Sequence, residues 1–285
     1  MKAEIVADYP LEIGENPIWH SDEKQIYWED IATGRIFRFD PARGTHELFY
    51  EGNVVGGFTI QYDGSLLLFM ERGRIALLRR GTLSTIIEEI PEEQNTRFND
   101  VIADPEGRVF CGTLPTEGGS AKLYRLERDG SITKILSGIG LSNGMGFTPD
   151  LKRMYHTDSL NRTIFLYEYD RSSGTLENQK VFLRIPEGEG VPDGMTVDRD
   201  GYVWSARWDG GCILRYTPEG TEQLRMELGV KKVSSLTFGG EDYMDLYVTT
   251  AGGGKREKEG EGAGALFRVR TGFQGVPEFR SKITP

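Results

Sequence analysis

Residues 141–158, LSNGMGFTPDLKRMYHTD, carry the reading on which the fold turns. Apolar Met145 and Phe147 alternate with small or polar neighbours, Asp150-Leu151 marks a turn, and RMYHTD returns as a second strand. Period-two alternation into a turn is the pattern of a β-hairpin. The octet that ends on the turn acid, NGMGFTPD (143–150), has five counterparts: ENPIWHSD (15–22), GGFTIQYD (56–63), NDVIADPE (99–106), DGMTVDRD (193–200) and SSLTFGGE (234–241). Their third and fifth positions are apolar or small throughout, from Pro17 and Trp19 to Leu236 and Phe238. The turns recur at intervals of about 41 to 50 residues, the length of a four-stranded propeller blade. Segments such as GRIFRFD (34–40), RTIFLYEYD (162–170) and CILRYTPEG (212–220) supply third strands, and a fourth completes each unit. A lone four-stranded sheet cannot bury both faces, so the units must stack around an axis. The prediction is an all-β, six-bladed β-propeller of four-stranded antiparallel blades spanning 1–285 as one domain. AEIVAD (3–8) is expected to complete the last blade and join the chain ends.

The bulk composition agrees. Of 285 residues, 37 are Gly, and no long helical run appears, which favours short strands and tight turns. A net charge of -10 without a basic stripe would repel a phosphate backbone, so nucleic acid is not an expected partner. The two cysteines, Cys111 and Cys212, have no metal-like spacing and suit a reducing compartment. The opening MKAEIVADYPLEIGE lacks the apolar core of a signal peptide, and no segment is long enough to span a bilayer. A cytoplasmic location with no membrane partner is the expectation. The tract GGGKREKEGEGAGA (252–265) reads as a flexible loop of the last blade, or a lid over the channel.

In a propeller the innermost strands line the channel, so equivalent residues at their starts converge on one mouth. Here these are Glu15, Gly56, Asn99, Asn143, Asp193 and Ser234. Singly, Asn143-Gly144 and Asp193-Gly194 are ordinary turn dipeptides. That reading does not explain why oxygen-bearing side chains share one register in separate blades. Two carboxylates facing each other in a channel repel, and a divalent cation would neutralise both. An oxygen-only donor set suits a hard ion, calcium, magnesium or manganese; zinc or ferrous iron would also bind under the Irving–Williams order. The absence of imidazole or thiolate argues against structural zinc.

GENPIW (14–19), RFNDVIADPEGRVFCGT (97–113), LSNGMGFTPD (141–150), VPDGMTVDRDGYVW (191–204) and FGGEDYMDLYVT (238–249) resemble the family of gluconolactonase and regucalcin, or senescence marker protein. The resemblance runs over essentially the whole chain in the same order. It implies a six-bladed propeller with one divalent metal, most often calcium, on Glu15, Asn143 and Asp193. It also implies substrate contacts from Arg97 and Asn99, with Glu117 in the place of a further acidic contact. Asp158 and Trp208, fifteen residues beyond Asn143 and Asp193, stand where a second strand would present them near the mouth, or as a strand-end polar group and a packed aromatic. His20, His46 and His156 have no spacing that suggests a triad.

The implied reaction is hydrolysis of small lactones, chiefly sugar lactones. The metal would polarise the carbonyl and orient water, Asp193 would take the water proton, and Arg97 and Asn99 would steady the developing negative oxygen. No GxSxG elbow is present, so a serine nucleophile is not expected. Two rivals share the fold: a six-bladed phosphotriesterase or aryl esterase, and a non-catalytic propeller that binds metal or protein partners.

Overall fold

The computed structural model describes residues 1–284 and is all-β. Six four-stranded antiparallel sheets are arranged as the blades of a propeller. The inner strands, in blade order, are Gly14–His20, Val55–Ile60, Phe98–Ala103, Ser142–Phe147, Val191–Val197 and Val233–Gly239, each packed beside its successor around the axis. Five blades use four consecutive strands. The sixth joins Val233–Gly239, Asp245–Thr250 and Leu266–Arg270 to the N-terminal strand Ala3–Ala7, which pairs Ala3 with Val269 and Ile5 with Phe267. The predicted ring closure is thus the observed one.

The core lies between blades. Ile18, Tyr27 and Ile36 of blade 1 meet Phe58, Ile60, Leu66 and Leu68 of blade 2. Trp204 and Ile213 of blade 5 meet Leu236, Phe238 and Val248 of blade 6 in the same way. Inner strands are covered on both faces, and Val55–Ile60, Ser142–Phe147 and Val233–Gly239 are buried along their whole length, whereas Phe98–Ala103 is half-buried at its centre. Each fully buried Leu, Ile or Phe contributes roughly 1.5–3 kcal/mol. Outermost strands such as Thr45–Glu51 are exposed and carry charge (Arg35 pairs with Glu51), which discourages pairing with another sheet edge.

Every inner strand carries an irregularity at one place. Pairing with the second strand shifts between Glu15 and Ile18, Val55 and Gly57, Phe98 and Val101, Ser142 and Met145, Pro192 and Met195, and Val233 and Ser235. A bulge leaves one residue out of the ladder and re-aims its side chain. Five residues of the predicted ring, Gly56, Asn99, Asn143, Asp193 and Ser234, lie in these gaps, whereas Glu15 stays in the ladder opposite Glu29, at the edge of its own bulge.

The acidic turns lie at the opposite end. Asp63 accepts the Ser65 N–H at 3.1 Å, and Asp198 accepts those of Asp200 and Tyr202 at 3.0 Å. The C-terminal segment crosses this end: Ser281 O accepts the Tyr62 N–H, Lys282 donates to Gly107 O, and Gln61 exchanges two hydrogen bonds with the Ile283 backbone. The tract 252–265 is folded rather than loose. It forms the short helix Arg256–Glu259, buries Ala263 and Ala265, and is tied by Lys231 N to Glu259 O and by Gly253 N to Leu11 O. Among the described residues no helix is long and apolar enough to cross a membrane. Cys111 and Cys212 are buried and unpaired with each other.

Candidate active site

At the bulged end of the inner strands, Glu15, Asn99, Asn143 and Asp193 are all buried. A chain of hydrogen bonds links three blades. Arg97 donates from Nη1 to Phe98 O and to Asn99 Oδ1, both at 2.8 Å. Asn99 Nδ2 donates to Ser142 O at 3.0 Å and to Asn143 Oδ1 at 3.1 Å. Asn143 Nδ2 donates to Ser159 Oγ at 3.0 Å, and Ser159 donates on to Pro192 O at 2.6 Å, beside Asp193. With Nδ2 engaged by Ser159, the orientation of the Asn143 amide is fixed.

Blade 1 is positioned by Asn16, held in the left-handed region at φ 48. Its amide mimics a strand, donating to Phe58 O at 3.0 Å and accepting the Phe58 N–H at 3.3 Å. Glu15 accepts the Asn16 N–H at 3.2 Å. Ser234 donates to Gly14 O at 2.5 Å and accepts from the Thr249 hydroxyl at 3.0 Å, so it seals the seam between blades 6 and 1. Gly144 is required by proximity: a Cβ there would meet Met195 N at 2.5 Å and Asp193 O at 2.6 Å.

The electrostatics are one-sided. Burial first, then Asp193 and Asp100, hold the Glu15 carboxyl well above the usual carboxylate range. Burial and then Asp100 do the same to Asp193. Asp100 itself is pushed up to about 7 by burial, against the pull of Arg97. Arg97 is lowered by burial and opposed in turn by Glu29, Glu15, Asp100 and Asp193. One guanidinium therefore faces four acids. Among the described residues neither Glu15 nor Asp193 forms an ion pair. Below Asp100 the channel narrows to a cavity of about 60 Å³ lined by Asn16, Phe58, Met145, Met195 and Glu278. Outward, Arg97 lines an open groove of about 580 Å³ with Ile13, Val54, Thr96 and Leu114.

The other sequence candidates fall elsewhere. Glu117 is exposed in the turn that follows Thr113. Asp158 is buried and accepts the Gly140 and Leu141 N–H groups, a loop-holding role that Asp30 repeats for Ile13. Trp208 is half-buried under the Lys232 ammonium. His20 and His156 are buried and His46 is exposed; His156 meets Ser142 Oγ at 2.8 Å. Sequence reasoning passed over Glu29 and Asp100 as site acids. Asp100 adjoins Asn99 in the quoted motif, whereas Glu29 becomes visible only once its pairing with Glu15 is known.

The model of the SMP-30/gluconolactonase/LRE-like region matches residues 13–252. The chain belongs to the SMP-30/gluconolactonase/LRE-like family. Within this SMP-30/gluconolactonase/LRE-like family, pentonolactonase XacC of Haloferax volcanii is 48% identical over 98% of this chain and 97% of its own. The 6-deoxy-6-sulfogluconolactonase of Pseudomonas putida is 31% identical over 96% of each. A solved structure described as a calcium-binding protein, regucalcin, from Agrobacterium tumefaciens superposes with a TM-score of 0.91 over 98% of this chain and 97% of that one; at 22% identity this speaks for the fold alone.

A hard divalent cation fits the residues present. Glu15 and Asp193 are buried acids without ion-pair partners, and Asn143 adds an amide oxygen. Among the described residues there is no cluster of three or more His, Cys, Asp or Glu that could hold a metal by itself, so a cation here would need amide oxygens beside the two carboxylates.

Proposed function

We propose that this chain hydrolyses small lactones, chiefly sugar lactones, with one divalent cation, calcium by preference, held by Glu15, Asn143 and Asp193. The observation that carries this reading is the relay Arg97–Asn99–Asn143 at the same end of the inner strands as two buried carboxylates without ion-pair partners. The lactonases among the relatives support the same substrate class. When bound, the cation supplies Lewis-acid polarisation of the lactone carbonyl. Asp193 takes the proton of the attacking water. Such general-base help is worth about 3–5 kcal/mol of barrier. Arg97 and Asn99 orient the ring oxygens and steady the charge that develops on the carbonyl oxygen. Glu117 lies within reach of a substrate only if its turn folds inward, and it is assigned the place of a further hydroxyl contact.

The test is pH-stat hydrolysis of several aldonolactones by chelated protein, before and after reloading with calcium, manganese, magnesium or zinc. Chelation is expected to abolish turnover and reloading to restore it. Asp193→Ala and Asn143→Ala should each lose cation binding and turnover while the circular dichroism spectrum is kept. Normal turnover in either variant with metal bound would overturn the assignment. Arg97→Ala should lower kcat/KM with metal content unchanged.

A further inference from the structure

Glu29 is fully buried, and neither Oε1 nor Oε2 has a hydrogen-bond partner. It stands directly opposite Glu15 in the strand pair Gly14–His20 and Gln25–Asp30. Opposed residues of an antiparallel pair project from one face with Cβ atoms about 4.5–5.5 Å apart, and like charges so placed repel. Arg97 is the cation whose charge reaches Glu29, yet its Nη1 is engaged by Phe98 O and Asn99 Oδ1. A carboxyl that finds no partner is among the costliest polar groups to bury, so a chain that keeps one beside its site has a carboxyl waiting there for a cation.

We propose that Glu29 is a positioning carboxylate for the divalent cation: acting from behind Glu15, its unmatched charge tightens cation binding at Glu15, Asn143 and Asp193. This rests on the cation reading above. Among the described residues no three acids form a metal-holding group, so Glu29 is assigned to act through the field and through Glu15 rather than as a third direct ligand. The arrangement makes a prediction of opposite sign in two states. Without cation Glu29 is a burden on the fold; with cation it is a support.

The experiment uses the full chain, stripped by chelator and dialysed, and the variants Glu29→Gln and Glu29→Asp. Calcium chloride and manganese chloride are titrated by calorimetry, and melting is followed with and without each salt. Glu29→Gln keeps the shape and removes the charge. It should melt higher than wild type without metal, bind either cation at least about tenfold more weakly, and show a smaller cation-induced rise in melting temperature. Glu29→Asp keeps the charge and should bind the cation within about threefold of wild type. A merely structural Glu29 would instead leave cation affinity alone and lower the melting temperature of both variants. Wild type that binds cation, with Glu29→Gln binding equally well, would sink this inference and leave the proposed function standing. Wild type that binds no divalent cation would sink both.

Discussion

Gly144 shows how little room a site residue has. The inner strands of blades 4 and 5 pass so closely that its missing side chain is the space occupied by the Asp193 carbonyl and the Met195 amide. Backbone cannot retreat as a side-chain tip can, so Gly144→Ala must push Asn143 and Asp193 apart. Overpacking of this kind costs about 1–3 kcal/mol, and the expectation is the upper end of that range, read as a lower urea midpoint. Lactone turnover should fall with it, because both proposed ligands flank the contact. Four polar residues at this end differ in kind. Asp158 and Ser234 hold backbone together across loops and seams, whereas Asn99 and Asn143 hold each other and leave an oxygen-rich face to the axis.

At the scale of the strand, the recurring bulge is the device that builds the site. An unbroken ladder would send alternate side chains to the two faces of each blade and none along the axis. The last blade has its own dependence, because its outer strand comes from the other end of the chain. Deleting residues 1–8 removes the pairing of Ala3–Ala7 with Leu266–Arg270 and uncovers Leu266 and Phe267. Thermal melting of that variant should drop by more than about 5 °C, since each lost kcal/mol is worth about 2–4 °C in a chain of this size. His156, on the second strand of blade 4, adds a pH dependence. Burial lowers it from 6.5 to about 4. The unfolded chain therefore takes up this proton first, and the stability that neutral His156 contributes above pH 6.5 is lost as pH falls toward 4. His156→Gln should flatten the acid limb of a melting profile over that window.

Across the whole molecule, the two ends of the channel have different tasks. The bulged end gathers acids; the opposite end is closed by the C-terminal segment, with Ile283 and Ser281 buried and Glu278 turned toward the channel. A chain ending at Gly275 should fold less stably by about 2–4 kcal/mol, the worth of one or two apolar side chains. Burial raises Glu278 to about 7 from 4.5. Its sign is opposite to that of His156: the folded chain keeps the proton longer, so the stability present below pH 4.5 is lost as pH rises through 7. Glu278→Gln should accordingly raise the melting temperature at pH 8 and leave it unchanged at pH 4.5. An unchanged value at both pH values would show that Glu278 reaches bulk water freely.

The amino-acid sequence by itself determined the repeat, the blade count, the closing strand and the register that brings Glu15, Asn99, Asn143 and Asp193 to one end. These follow from local rules, period-two alternation and turn acids, which each blade states again. Tertiary structure decided what no local rule contains. Folding residues 15–29 about the turn at Asp22 pairs Ile18 with Tyr27 and would set Glu15 opposite Asp30; the bulge slips the register by one residue and sets Glu29 there instead. The tract 252–265 looks loose by composition, yet contacts with residues more than two hundred positions away, at Leu11 and Asp8, hold it as a short helix. Side-chain direction at a bulge and order in a Gly-rich tract are both set by distant neighbours, and sequence distance hides those.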